Sequence, residues 1–354
     1  MTQYRTAWAA VIIMLIVVIA SGAWLISRTP GAIFDEDDVP RVDAIESGGD
    51  PLLFTVNEGD SAAAIGDELE AQGIVRSALL FEVLVALNGV GSDLEAGEYE
   101  LDRGMTAIEV VHRIAEGKTA SRVLTVPEGL RIEEIGELLE VNGITTKDAF
   151  LAALVKSEYS EPFLQQIATD DLQGYVFPAG YEFGRSTTAE QVAATMLRGF
   201  QTNVFDEVSR EGQAMTFHDV VTLASIVERE AATAEERPII ASVFLNRLRL
   251  GIPLQADPTV QFAVAADPAS VEQYGYWKRE LTLDDLKIDS PYNTYVYGGL
   301  PPGPIANPGL DSVLAVIRPA STEYLFFVAK ADDGTHVFAE TLEEHEANVQ
   351  MYQR

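Results

Sequence analysis

The chain has 354 residues, 55 Asp and Glu against 24 Lys and Arg, a formal net charge of −31 and no cysteine. A surface this acidic repels phosphate backbones and argues against nucleic acid as a partner. Without cysteine there is no disulfide framework, no thiolate metal site and no cysteine nucleophile.

The first element predicted is "WAAVIIMLIVVIASGAWLIS", Trp8 to Ser27, 20 residues without a charge. At about 1.5 Å per residue such a helix spans roughly 30 Å, the hydrocarbon thickness of a bilayer. Trp8 and Trp24 stand near its ends, where interfacial aromatics belong. Arg5 precedes it and "DEDD", Asp35 to Asp38, follows. We read 1–28 as a cytoplasmic tip and single transmembrane helix, with everything after it outside the cytosol at the cell (inner) membrane. The competing reading is a cleaved signal peptide, but the apolar run is long and no clear A-x-A site follows. Residues 29–50, rich in Pro, Gly and acids, read as a linker.

The segment 51–160 reads as small β-α units. "LLFTV" is a strand, "NEGD" a turn with Asp60 or Ser61 as helix cap, and a helix follows with Ala64, Ile65 and Leu69 on one face. A second helix, "SALLFEVLVALNG", a short strand in "AGEYEL", and a helix carrying Ile108, Val111 and Ile114 come next. "FTVNEGDSAAAIGDELEAQGI" and "LTVPEGLRIEEIGELLEVNGI" align as an internal repeat. The pattern resembles the LysM-like modules of cell-wall proteins; a plain α+β packing unit would look much the same.

The composition changes after Ser160, and 161–354 reads as a mixed α+β domain. "QGYVFPAGYEF" is predicted to be an irregular packed loop. Three helices follow, the last with Pro238 in its first turn and Gly251 past its end. "EYLFFVAK" and "HVFAE" form a predicted hairpin, and "TLEEHEANVQMYQ" a closing helix.

Three clusters carry candidate chemistry. In "LASIVEREA", Leu223 to Ala231, two carboxylates end an apolar helix. A carboxyl held against apolar walls keeps its proton near neutral pH and can donate it; the spacing leaves Glu228 and Glu230 both open. In "LRLGIPLQADPTVQFAV", Gln255, Asp257 and Thr259 interrupt apolar runs, with Asp257 before Pro258 as a helix N-cap or as part of a cleft wall. In "DSPYNTYVYGGLPPGPIANPG", Tyr292, Asn293, Thr294, Tyr295 and Tyr297 precede a Pro-Gly segment. Aromatic rings beside amides and hydroxyls suit sugars, which have apolar faces and polar edges. The four histidines lack metal-ligand spacing, and no nucleotide loop or nucleophile elbow occurs.

These clusters, in this order, resemble the YceG-like family, also called MltG, the endolytic murein transglycosylases. The resemblance rests on "LASIVERE", "ASVFLNRLRLGIPLQADPTV", "SPYNTYVYGGLPPGPIANPG" and "EYLFFVA" with "GTHVFAETLEEHEANV", from about Gly174 onward. It implies an enzyme that cuts peptidoglycan glycan strands internally between N-acetylmuramic acid and N-acetylglucosamine, leaving 1,6-anhydro ends. No cofactor or metal is implied. It implies Glu228 as the single acid and base, with Gln255, Asp257, Tyr292, Asn293 and Thr294 as substrate-binding residues. Peptidoglycan synthases are conceivable neighbours at the membrane. Gln173, Ala179 and Gly180 depart from the "EGYLFPDTY" common among relatives, and Glu346 stands where asparagine is common. The alternative readings are a membrane-anchored peptidoglycan-binding protein without activity, and a hydrolase that uses Asp257 as its second carboxylate.

Overall fold

The computed structural model describes residues 51–117, 121–167, 169–209 and 215–353. The chain is mixed α+β, with three separate two-stranded antiparallel sheets among the described residues. No described helix is long and apolar enough to cross a membrane. The uncharged stretch at 8–27 lies outside the described residues, as does the linker to residue 50.

The chain divides into two compact units, with the boundary between Lys118 and Thr119. In the first, β1 (Leu52–Val56) pairs antiparallel with β2 (Gly97–Leu101). Helices α1 (Ala62–Ala71) and α2 (Ala78–Asn88) lie between these strands in sequence, and α3 (Ala107–Ala115) follows. Ser61, rather than Asp60, caps α1 by accepting from Ala64 N–H. Alternation in β1 buries Phe54 and Val56 against Leu69, Phe81, Tyr99 and Ile114.

The second unit opens with the same order. Strand β3 (Arg122–Thr125) pairs antiparallel with β4 (Gly180–Phe183). Helices α4 (Ile132–Val141) and α5 (Lys147–Ala153) stand between them, and α6 (Ala189–Phe200) follows, held by a Thr188/Gln191 capping box. The internal repeat is therefore a whole βααβα unit. Its second copy belongs with the remainder of the chain, so the division falls near 118 and not at the expected 160. The segment expected as a wholly irregular loop contains β4, which depends on pairing with β3, 55 or more residues earlier in sequence.

Beyond α6 the chain passes through a π-helical turn, Gln201–Phe205. Helix α7 (Phe217–Glu230) is then capped by Thr216, whose hydroxyl accepts from Asp219 N–H. Helix α8 (Arg237–Leu250) has Pro238 in its first turn and ends on Gly251 in the left-handed region, φ 70°. Helices α9 (Asp257–Val264), α10 (Pro268–Tyr274) and α11 (Leu310–Ile317) follow, then the β5 (Phe326–Ala329) and β6 (His336–Ala339) hairpin, and α12 (Leu342–Tyr352). The core of this unit surrounds α7, whose Leu223, Ala224, Ile226 and Val227 are fully buried against α8 and α11.

Candidate active site

Helix α7 carries polar groups on two opposed faces. At 100° per residue, His218, Ser225 and Glu228 fall within one sector, and Glu230 points about 160° away from Glu228. The first face anchors the Pro-Gly segment. His218 Nε2 donates to Pro302 O at 2.9 Å, while its Nδ1 takes the Tyr175 hydroxyl at 2.7 Å. Ser225 Oγ accepts from Ile305 N–H at 3.0 Å, and Glu228 Oε2 accepts from Gly309 N–H at 3.1 Å. Arg237 bonds the other oxygen of Glu228 at 3.3 Å and also reaches Glu128 at 3.5 Å. The Glu228 side chain is 6% exposed and fully engaged in these contacts.

Glu230 ends the same helix and opens onto a cleft. Two cavities, of about 430 and 510 Å³, both have Glu230 and Asp257 in their walls. Glu228 lines neither of them. Enclosure by protein, and secondarily the negative charge of Asp257, push the Glu230 carboxyl up to about 8. Arg229 and Arg247 pull the other way without cancelling this.

The first cavity runs from Glu230 and Asp257 past Gln255 and Tyr295 to an apolar wall of Phe326, Val328, Leu342 and Val349. The second runs past Glu134 and Gln261 to Tyr274, Tyr276, Trp277 and Arg279. Trp277 is fixed from both sides: the Arg229 guanidinium lies 3.9 Å from its ring centroid, and its indole N–H donates to Glu134 Oε2 at 2.9 Å. Glu134 also accepts from Arg131 N–H at the start of α4. The second βααβα copy thus supplies part of the cleft wall.

The loop before α9 is held from below. Arg247 donates to Pro253 O and Leu254 O at 3.1 and 2.8 Å and to Gln255 Oε1 at 3.3 Å. Thr294 Oγ1 accepts from Ala256 N–H and shares a 2.8 Å bond with Thr259 Oγ1. Gln255 has φ 51°, the only non-glycine left-handed residue among those described. Ala256, not Asp257, is the N-cap of α9; Asp257 is its first residue. The Tyr295 hydroxyl donates to Asp257 Oδ1 at 2.6 Å, and burial together with that carboxylate raises the phenol.

Of the residues expected to bind substrate, the structure brings Gln255 and Asp257 to the cleft. Tyr292 lines neither cavity and packs on Phe262, ring centroids 4.6 Å apart. Asn293 is fully buried and braces its own turn, donating to Leu286 O and Ile288 O and accepting from Tyr295 N–H. Thr294, 1% exposed, sits beneath the Gln255–Asp257 loop. Sequence reasoning missed Arg247, Trp277 and Glu134 as parts of the site, and named Tyr295 in its third cluster without carrying it among the substrate-binding residues.

A family model described as the YceG-like family matches residues 54–351. The chain belongs to the YceG-like family. An endolytic murein transglycosylase of Bacillus subtilis is 33% identical over 316 residues, 84% of this chain and 84% of that one. A protein of the same name from Streptococcus pneumoniae is 30% identical over 319 residues, 83% of this chain but only 57% of its own length. The crystal structure of a YceG-like protein from Listeria monocytogenes is 34% identical, with a TM-score of 0.56 over 85% of this chain and 99% of that one. The YceG-like family match begins at residue 54, so it takes in both βααβα copies as well as the cleft.

Proposed function

We propose that this chain is an endolytic murein transglycosylase that cuts peptidoglycan glycan strands, with Glu230 as its acid and base. The name comes from the relatives. The observation that carries the residue choice is that Glu230, and not Glu228, faces the cleft at the junction of both cavities with its proton retained near neutral pH. An arm on each side of Glu230 suits a polymer bound in its middle, as internal cleavage requires.

In the proposed reaction Glu230 protonates the bridging oxygen between N-acetylmuramic acid and N-acetylglucosamine, and the anomeric C–O bond breaks. The muramyl C6 hydroxyl attacks its own anomeric carbon and gives its proton to the Glu230 carboxylate. The products are a free N-acetylglucosamine end and a 1,6-anhydro end; water is not consumed and Glu230 returns protonated. One carboxyl suffices, whereas a hydrolase needs two. The presence of Asp257 in both cavities keeps the hydrolase as a second reading. Digestion of purified peptidoglycan followed by mass analysis separates them, because each anhydro end is lighter by one water. Hydrolytic ends from the purified chain would overturn the lytic reading.

The βααβ order in both units supports a LysM-like reading of these modules. The uncharged residues 8–27 support a single membrane anchor with the active domain outside the cytosol. A C-terminal reporter active in the cytosol would contradict that topology.

A further inference from the structure

The cleft holds two carboxyl groups at opposite kinds of helix end. Glu230 is the last residue of α7, where the partial negative charge of the helix C-terminus disfavours a second anion. Asp257 is the first residue of α9, where the partial positive charge of the N-terminus favours one. Asp257 also accepts a 2.6 Å hydrogen bond from Tyr295, a contact that strengthens when the carboxyl is ionised. Both carboxyls line both cavities, and the charge of Asp257 reaches Glu230. Tyr295 is held in turn by Asn293, whose side-chain oxygen accepts its backbone N–H at 2.9 Å.

We propose that Asp257, clamped by Tyr295, is a positioning residue whose fixed negative charge keeps the proton on Glu230 between turnovers. The inference rests on Glu230 being the acid. The groups facing Glu230 are Arg229 from its own helix, Arg247 from α8, Asp257 from α9 and Tyr295 from the 291–297 turn; Glu134, Tyr274, Tyr276 and Arg279 lie farther along the second cavity, and His336, bonded to Glu236, and His345, stacked on Phe326, line the first. The two arginines favour the Glu230 carboxylate. Arg247, however, directs Nε to Leu325 O and Nη1 to Pro253 O, Leu254 O and Gln255 Oε1. Arg229 lies over Trp277 and donates to Gly129 O. Asp257 then opposes them, and paired carboxyls in environments of opposite sign divide the roles of proton holder and fixed anion.

The test is the pH dependence of anhydro-product release from peptidoglycan by the purified full chain. Activity of the native protein should fall above about pH 8, where Glu230 loses its proton. Asp257→Asn removes a charge that favours the protonated acid, so this limb should move down by about 1 pH unit while activity persists at lower pH. Asp257→Glu, which keeps the charge, should restore the limb. Tyr295→Phe leaves the charge but releases the carboxyl, so kcat should fall about tenfold with the limb in place. An unmoved limb in Asp257→Asn overturns the proposal, as does a folded Asp257→Asn inactive from pH 4 to 9. Unchanged kcat in Tyr295→Phe overturns the clamp. Glu230→Gln run alongside tells the two failures apart: if it turns over, the acid assignment is wrong; if it is silent while the limb stays put, only the role of Asp257 is lost.

Discussion

Glu228 and Glu230 are two residues apart and meet different surroundings because a helix turns about 200° between them. We expect Glu230→Gln to abolish anhydro-product release while the protein stays folded. It should also alter stability with a sign opposite to that of a paired carboxylate. The folded chain holds the Glu230 proton up to about pH 8, whereas the ordinary carboxyl releases it near 4.5. Between those values the folded state binds the extra proton, so its stability falls as pH rises through this window. Glu230→Gln lacks that penalty and should be the more stable form at pH 8, by on the order of 2 kcal/mol once exposure through the cleft is allowed for; denaturant melts at pH 5 and pH 8 would measure the difference. Glu228→Gln should behave in the reverse manner. It weakens a buried ion pair with Arg237 and the bond to Gly309 N–H, so it should lower stability by about 1–3 kcal/mol and leave most turnover intact. Urea midpoints and initial rates on the two variants decide this. The sequence held the means to choose: Glu228 shares a helical face with His218 and Ser225, and Glu230 does not. What it withheld was the identity of the groups each face meets, which come from residues 302–309 and 254–257.

Elements in this fold are fastened by side chains that replace ladders. The segment from Leu300 to Gly309 has little regular structure, yet Ile305, Ala306 and Asn307 are fully buried. Asn307 makes this workable. Its Oδ1 accepts from Gly174 N–H and Val176 N–H, its Nδ2 donates to Leu130 O, and its backbone pairs with Gly129 and Leu130. One side chain therefore satisfies backbone groups of two other loops, which would otherwise be buried and unpaired. Asn307→Ala should destabilise by about 2–4 kcal/mol, read from urea midpoints. The Gln255 turn presents the opposite case, a strained conformation at the cleft. Gln255→Gly relieves the left-handed backbone and should stabilise by about 0.5–1 kcal/mol while lowering activity through loss of the side chain. Helices were legible from caps and periodicity, as with Ser61, Pro238 and Gly251. The closing strand β4 was not, because its partner lies far back in the chain and 26 residues separate it from α5. Asn293 and Thr294 misled for a related reason: polar residues next to aromatics look like a binding surface until burial shows that they brace a turn.

At the scale of the whole molecule, what is at issue is where the part that does chemistry begins. Composition changes at 160, and the repeat made 51–160 look like one preceding region. The second repeat copy is nonetheless tied into the cleft-bearing unit at several points. Strands β3 and β4 straddle residue 160, so a cut there leaves β4 without a partner and exposes Phe183. Gly129 and Leu130 lose Asn307, Arg229 loses Gly129 O, and Trp277 loses Glu134. Lys147 and Glu137 both bond the Tyr276 hydroxyl, at 2.8 and 2.7 Å, so the loop that carries Tyr276 and Trp277 loses its outer support as well. Burial of Ile135, Leu139 and Phe150 against Val192 and Met196 is lost in the same cut. At roughly 1.5–3 kcal/mol for each large apolar side chain, that sum is comparable with the whole net stability of an ordinary domain. The boundary at 118 severs none of these contacts. A fragment of residues 119–354 should therefore fold cooperatively and release anhydro products from purified peptidoglycan, whereas 161–354 should be insoluble or molten, with weak near-ultraviolet circular dichroism. A cooperative, active 161–354 fragment would show that the second βααβα copy is dispensable to the cleft. An inactive but folded 119–354 fragment would place an essential part of the reaction in residues 1–118.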